Sequence, residues 1–186
     1  MNYQIFSDNE WLYPDSEIGK AGKAELFAAR GGDVCFQVLI DRKLAAGEKV
    51  DFSFKLDGCA LEAYQLLPAY VSENSGVKTH TTLNYDEVKD FVTRQAPFWV
   101  YDITKPVADG IEEGRAAFFL RVNVKVDAPV GTYESAVTVA FENESVSLPV
   151  SIKIYNAQIP ALKSAEYHMI NWLYYPTISK QHGVEP

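Results

Sequence analysis

Apolar and polar residues alternate along several stretches of the chain, so that every second side chain would share one face of a β-strand. The alternation is strongest in 34–40, 50–56, 118–126, 133–141 and 146–154. Weaker alternation marks 3–6, 24–29, 64–71 and 98–103. The five strong stretches are predicted to be antiparallel-type strands, each with one face toward solvent.

Residues with turn-forming chemistry separate the predicted strands. Gly31-Gly32-Asp33 can supply a positive φ between two of them, and Asn143-Glu144 predicts a hairpin tip. Pro129-Val130-Gly131 predicts a tight reversal. Pro149 lies inside the last strand pattern, which predicts an edge strand or a bulge there because proline has no backbone N–H.

No segment shows a sustained helical stripe, and 85–93 would form at most a turn or two of helix. Strands without crossover helices predict two sheets packed face to face. We therefore expect an all-β fold, a two-sheet antiparallel β-sandwich of immunoglobulin-like or jelly-roll-like type, over residues 1–160. The polar stretch 72–96 lacks alternation and is predicted to be a long loop.

The C-terminal part of the sequence does not continue the sandwich pattern. After Ile159-Pro160, residues 161–165 have the composition of a linker. Residues 166–175 (EYHMINWLYY) are apolar and aromatic, and they are followed by Pro176. We expect an orphan strand there, in a sequence that has been cut short.

Composition and charge narrow the range of partners. The formal net charge of −8 disfavours nucleic acid and anionic membranes, because both require clustered Lys and Arg. The N-terminal residues lack the pattern of a signal peptide, and no stretch reaches the ~20 apolar residues that span a bilayer. The expected location is cytoplasmic. Cys35 and Cys59 do not suggest a disulfide scaffold.

The sequence contains no recognisable catalytic or metal-binding motif. The three histidines, at 80, 168 and 182, lack metal-ligand spacing, and no phosphate loop or Gly-x-Ser-x-Gly elbow occurs. The paired acids Asp86-Glu87 and Glu112-Glu113 could serve glycoside hydrolysis, but adjacent acids in polar loops are more often solvated surface. We expect no catalytic residue, no metal site and no cofactor.

The aromatic run Phe98-Trp99-Val100-Tyr101 is the strongest candidate for binding. If Phe98 and Val100 face the core, Trp99 and Tyr101 share the opposite face, where they could stack on a pyranose ring or meet a neighbouring domain. The alternative is that a loop covers this face. Trp172 is a third candidate ring, whereas Trp11 and Tyr13 are interpreted as ordinary packing.

Several segments near residue 160 resemble a known domain when they are taken in order. The turn Ala128-Pro129-Val130-Gly131-Thr132-Tyr133 is followed by the hairpin sequence of 137–155 and by Ile159-Pro160. This order resembles the end of the N-terminal β-sandwich of glycoside hydrolase family 123 and related bacterial proteins. There, a proline-ended linker leads into a (β/α)8 barrel. The resemblance implies that 161–186 is a linker and the truncated start of such a barrel.

The resemblance also implies what this chain lacks. Members of that family hydrolyse terminal β-linked N-acetylgalactosamine with an Asp-Glu pair on a later barrel strand, and the substrate's acetamido group acts as nucleophile. No position here matches that pair. The expected function is therefore a non-catalytic accessory domain, whose partner is its own C-terminal catalytic barrel.

Two alternatives and one side prediction remain from the sequence. The chain could be a carbohydrate-binding module that uses Trp99, Tyr101 and Trp172. It could itself be an enzyme, although no acid, base or nucleophile supports this. Uncovered rings in 166–175 are also expected to permit self-association.

Overall fold

The computed structural model describes residues 1–74 and 93–160, which form nine β-strands and no α-helix. The strands are β1 (Tyr3–Ser7), β2 (Ala24–Arg30), β3 (Asp33–Leu44), β4 (Asp51–Phe54), β5 (Cys59–Val71), β6 (Phe98–Pro106), β7 (Gly114–Val124), β8 (Gly131–Ala140) and β9 (Ser145–Gln158). A short 3-10 turn, Val107–Asp109, follows β6. Each of the nine stretches predicted from alternation is a strand, and the all-β sandwich is confirmed.

The strands are arranged in two sheets. One sheet has five strands in the order β1-β3-β7-β5-β6, and all its neighbouring pairs are antiparallel. The other has four strands in the order β2-β9-β8-β4. In this sheet β2 runs parallel to β9, from Ala24 opposite Val150 to Ala29 opposite Tyr155. The prediction of a wholly antiparallel sandwich is wrong at this pair, because alternation within a strand does not determine its partner's direction.

The core lies between the two sheets and follows the predicted parity. Its fully buried side chains include Phe36, Val38, Ile40, Phe118, Leu120, Val122, Leu148, Val150 and Ile152. Burying each large apolar side chain contributes roughly 1.5–3 kcal/mol before chain entropy is subtracted. The rings of Phe52 and Phe118 meet edge to face, with centroids 5.0 Å apart, across this core. These contacts hold the two sheets together.

Pro149 lies in β9 at a position that is paired on one side only, although β9 is not at the edge of the sheet. β9 is an interior strand between β8 and β2, so the prediction of an edge strand is wrong for β9 as a whole. Its pairing with β2 begins at Val150, whereas Pro149 is opposite Ala136 of β8 alone. The missing N–H of Pro149 therefore interrupts no pairing with β2.

Several expectations from the sequence concern residues outside the described ranges. The linker and orphan strand at 161–186 and most of the predicted loop at 72–96 lie there. Cys35 and Cys59 are both described, and both are free thiols. Within the described residues, no helix has the length and apolar character needed to cross a membrane.

Candidate functional site

The segment between β1 and β2 covers part of the outer face of the five-stranded sheet. Leu39 and Ala117 point away from the main core, because they alternate with residues that face it. Leu12 packs on this outer face with Leu66 and Tyr101 in a second buried cluster. We call residues 8–18 the strap, since they cross the sheet here.

Side chains of the sheet fix the strap through its backbone carbonyls. The buried Gln37 Nε2 donates to the carbonyl oxygens of Ser7 and Glu10, each at 2.8 Å. Arg115 donates from Nη1 to the carbonyl oxygens of Pro14 (3.0 Å) and Ser16 (2.5 Å). The Tyr101 N–H donates to the Leu12 carbonyl oxygen at 2.9 Å. The strap is therefore anchored on both sides of Trp11.

Arg94 ties the strap to the residues just before β6. It donates two hydrogen bonds to the Asp15 carboxylate, at 2.8 and 2.5 Å. Its guanidinium also lies 4.5 Å from the centroid of the Tyr13 ring and 5.6 Å from that of Phe98. The hydrogen bonds from Arg94 lower the pKa of the Asp15 carboxyl. Tyr13 and Phe98 meet edge to face, at 5.8 Å between centroids, so Tyr13 does pack as interpreted.

The strap separates the two aromatic residues that the sequence placed on one outer face. Tyr101 is only 6% exposed, since Leu12 of the strap covers it. Burial also raises the pKa of its phenol. The prediction that Tyr101 offers an exposed ring is therefore wrong. Trp99 is 52% exposed, as expected, and Trp172 lies outside the described residues.

Tyr70, which the sequence did not single out, accompanies Trp99. It lies opposite Trp99 in the pairing of β5 with β6, and it is also exposed. The two ring centroids are 5.0 Å apart, with the ring planes tilted by 49°. Adjacent aromatic side chains on a strand pair form a continuous apolar surface. We call Tyr70 and Trp99 the aromatic pair.

Trp11 is the residue whose role the sequence interpretation missed. Its side chain is 59% exposed, whereas the neighbouring Leu12 is 2% exposed. Ordinary packing is therefore the wrong interpretation for Trp11. One signal in the sequence could have predicted the exposure of Trp11, namely the apolar run Trp11-Leu12-Tyr13 in a loop. Successive side chains of an extended backbone point to opposite sides, so three consecutive apolar residues cannot all face the protein.

Two depressions meet at Trp11. The first, of about 370 Å³, lies on the side of Tyr13 and Phe98 and is also lined by Arg94. The second, of about 380 Å³, lies on the other side, where Asp8, Asn9, Glu10 and Thr104 contribute polar atoms. Trp11 and Asp102 line both depressions. We call the two together the Trp11 cleft.

The backbone at Asp102 is irregular. Tyr101 is opposite Pro68 and Ile103 is opposite Leu67, so Asp102 is an extra residue without a partner on β5. Such a β-bulge re-aims the side chain at that point. Within the described part of the chain, the Asp102 carboxylate has no hydrogen-bond or ion-pair partner.

Of the two pairs of acids that the sequence offered for glycoside hydrolysis, only Glu112-Glu113 lies within the described residues. Glu112 is exposed and pairs with Lys105 at 2.5 Å, and its backbone is held by the buried Gln65 side chain. Asp86-Glu87 lies outside the described residues. Among residues 1–74 and 93–160, no three His, Cys, Asp or Glu side chains are grouped as metal ligands.

A third surface lies at the end of the sandwich from which the chain continues beyond Pro160. Its turns are joined by backbone hydrogen bonds from Gly31 to Val124 (2.8 Å), from Lys125 to Gly58 (2.8 Å) and from Ile159 to Arg30 (2.9 Å). Val126, Val130 and Ile159 are exposed at this end. We call these three residues the exit-end surface.

Comparisons with known proteins show a shared fold but no relationship in sequence. No protein family and no curated protein matches the chain. Among solved structures, a family 123 glycoside hydrolase from Clostridium perfringens matches with a TM-score of 0.54 and 11% identity. The match covers 85% of this chain and 28% of that chain.

A second structural match is weaker. Domains 4 and 5 of the S-layer protein SbsC match with a TM-score of 0.33 and 11% identity, over 82% of this chain and 77% of that one. A TM-score of 0.33 does not establish a shared fold. The comparisons therefore show that the chain shares its β-sandwich fold with about a quarter of a glycoside hydrolase chain.

Proposed function

We propose that this chain is a non-catalytic accessory domain of a glycoside hydrolase and packs against a catalytic (β/α)8 barrel that follows it. The observation that carries the proposal is the fold match with the Clostridium perfringens enzyme, which spans 85% of this chain but only 28% of that one. By resemblance, the substrate class of the whole protein would be β-linked N-acetylgalactosamine.

The exit-end surface supports the proposal, because it offers exposed apolar side chains for such packing. Val126, Val130 and Ile159 lie at the end where the chain leaves the sandwich, so a following domain would be close to them. Exposed apolar side chains grouped on one surface favour association, because covering them removes apolar area from water. On this proposal the first 160 residues are the accessory domain, and residues 161–186 lead into the barrel.

Isothermal titration tests the accessory role. The chain would be titrated with the polypeptide encoded downstream of residue 186, expressed separately. Saturable binding at about micromolar concentration is expected, since interfaces between domains of one chain bury roughly 600–1,500 Å², as transient protein–protein interfaces do. A reading frame that stops at residue 186, or a titration without binding, would contradict the proposal.

The non-catalytic part of the proposal has its own test. The chain would be incubated with the 4-nitrophenyl glycoside of β-N-acetylgalactosamine, with an active glycoside hydrolase as positive control. No release of nitrophenol above the buffer blank is expected. Turnover by the chain alone would overturn this part, and it would place catalytic acids within the 186 residues.

A second candidate function is carbohydrate binding, which the aromatic pair favours. Tyr70 and Trp99 are both exposed and their rings are adjacent, so they could stack on the apolar face of a pyranose. Titration of the chain with an N-acetylgalactosamine oligosaccharide should then quench or shift tryptophan fluorescence. A flat response up to millimolar sugar would exclude that ligand.

A further inference from the structure

We infer that the Trp11 cleft is a binding site for a pyranose sugar without acidic groups, with Trp11 as the stacking platform and Asp102 as the hydrogen-bond acceptor. The inference extends the carbohydrate-binding candidate, on which it rests, to a site distinct from the aromatic pair. It does not depend on the accessory role.

The first reason is that the backbone carrying an exposed indole is held in a fixed position. Hydrogen bonds from Gln37, Tyr101 and Arg115 anchor the strap carbonyls on both sides of Trp11. The neighbouring Leu12 side chain is buried in the second cluster. An indole on an anchored backbone loses less conformational entropy when a ligand stacks on it than one on a free loop, and pre-organisation of this kind strengthens binding.

The second reason is the placement of an acceptor beside the ring. The bulge in β6 leaves Asp102 outside the strand pairing, and this residue lines both depressions that meet at Trp11. A carboxylate can accept hydrogen bonds from two adjacent hydroxyl groups. An aromatic face with a convergent acceptor matches a pyranose, which has an apolar face and hydroxyl groups at its rim.

The size and charge of the cleft define the ligand further. Depressions of about 370 Å³ and about 380 Å³ lie within the roughly 300–1,000 Å³ typical of small-molecule sites. Asp8 and Glu10 join Asp102 along the second depression. Their negative charge disfavours uronic and sialic acids, because like charges repel at short range. Arg94, the basic residue that lines the first depression, is already paired with Asp15. Two depressions that share Trp11 in their lining would accommodate adjoining sugar units.

A glycan array that carries neutral, amino and acidic saccharides is the probe for this site. The full chain should bind at least one neutral or amino glycan and no acidic one. The best binder would then be titrated into four proteins by calorimetry, namely the original chain and the variants Trp11→Ala, Asp102→Ala and Trp99→Ala. Because Trp11 and Trp99 are both exposed, their variants should keep the original urea midpoint.

The expected result is a loss of about tenfold or more in affinity for Trp11→Ala and Asp102→Ala, with Trp99→Ala within about twofold of the original chain. If Trp99→Ala loses binding and Trp11→Ala keeps it, carbohydrate binding stands and this inference is overturned. Selective binding of acidic glycans would also overturn it. If no glycan binds, this inference and the carbohydrate candidate both fail, while the accessory role is unaffected.

Discussion

Gln37 shows how one buried polar side chain determines the position of the strap. Its amide nitrogen serves two carbonyl oxygens, those of Ser7 and Glu10, in a place where water has little access. The buried Gln37 amide would be destabilising without acceptors, and these two part-buried bonds hold the chain at the point where it leaves β1. The geometry of the Trp11 cleft therefore depends on Gln37, which anchors the strap and also lines the second depression.

The variant Gln37→Leu should lower the free energy of unfolding by about 1–3 kcal/mol, because it removes both hydrogen bonds of the Gln37 amide. The Glu10 carbonyl oxygen loses this donor, whereas the Ser7 carbonyl oxygen keeps the Glu10 N–H. Urea denaturation followed by circular dichroism measures this change. The exposed Gln158 provides a matched control, and Gln158→Leu should change the stability by less than about 0.5 kcal/mol. Equal effects of the two substitutions would show that the hydrogen bonds of Gln37 do not anchor the strap.

The pairing of Asp15 with Arg94 predicts a dependence of stability on pH. The folded state lowers the pKa of Asp15, so the contribution is fully present above the ordinary pKa of about 4 and is lost as the pH falls through the lowered value. The variant Asp15→Asn should thus be less stable than the original chain at pH 6, by a small amount because the pair is exposed to solvent.

Urea midpoints of both proteins, measured from pH 6 to pH 2, test this dependence. The difference between the two midpoints should shrink toward pH 2, because a protonated Asp15 carboxyl no longer forms an ion pair with Arg94. A difference that stays constant across this range would mean that Asp15 contributes through its size or shape and not through its ionised form.

The residues of the candidate site were predictable only in part. Alternation predicted that Trp99 and Tyr101 share one face of β6, because side chains two positions apart in a regular strand point the same way. It could not show that Leu12 would cover Tyr101, since that contact joins residues far apart in sequence. For the same reason, the exposure of Trp11 depends on where the strap crosses the sheet.

At the level of elements, the turn between β4 and β5 requires glycine at position 58. Gly58 has φ of +73°, and a Cβ there would lie 2.7 Å from the Ala128 Cα. Both the left-handed backbone and the contact with a neighbouring backbone disfavour any side chain. This close approach brings the β4–β5 turn against the β7–β8 connection and shapes the exit end.

The variant Gly58→Ala should destabilise the fold by about 2–4 kcal/mol, of which roughly 1–2 kcal/mol comes from the left-handed conformation and the rest from overlap. Gly22→Ala is the matched control, because a Cβ at Gly22 would meet nothing within 4 Å. The control should be neutral or stabilising by up to about 1 kcal/mol. Thermal unfolding compares the two, and similar losses in both would contradict the argument.

The strands themselves were predictable because each buries one face, and burial leaves a period of two in the sequence. The strand pairing was not, as β2 and β9 show. Their segments alternate in the same way as antiparallel strands do, yet they run parallel. Local alternation records which face is buried, whereas partner and direction depend on contacts between distant parts of the chain.

At the scale of the whole molecule, the apolar groups of interest lie on separate surfaces. The Trp11 cleft lies at the strap and β6, and the aromatic pair lies on β5 and β6. The exit-end surface is formed by the β7–β8 connection and the residue after β9. A sandwich can thus pack against a following domain at one end and leave the strap side open to a sugar. The two functions are therefore compatible and separable by mutation.

The double variant Val126→Lys, Val130→Lys tests whether the exit-end surface contacts the following domain. Both side chains are exposed, so the sandwich should fold with an unchanged urea midpoint. If a barrel covers them, two buried charges without partners should weaken binding to the downstream polypeptide by at least tenfold in calorimetry.

Phe27→Lys is the matched control for this double variant. Phe27 is 62% exposed on β2, an edge strand of the four-stranded sheet, and it is not one of the three residues of the exit-end surface. Its replacement should leave the affinity for the downstream polypeptide within about twofold, since Phe27 then remains in solvent in the assembled protein. If Phe27→Lys abolishes binding while the double variant retains it, the barrel packs on the face of the four-stranded sheet. The accessory role would then hold with a different interface.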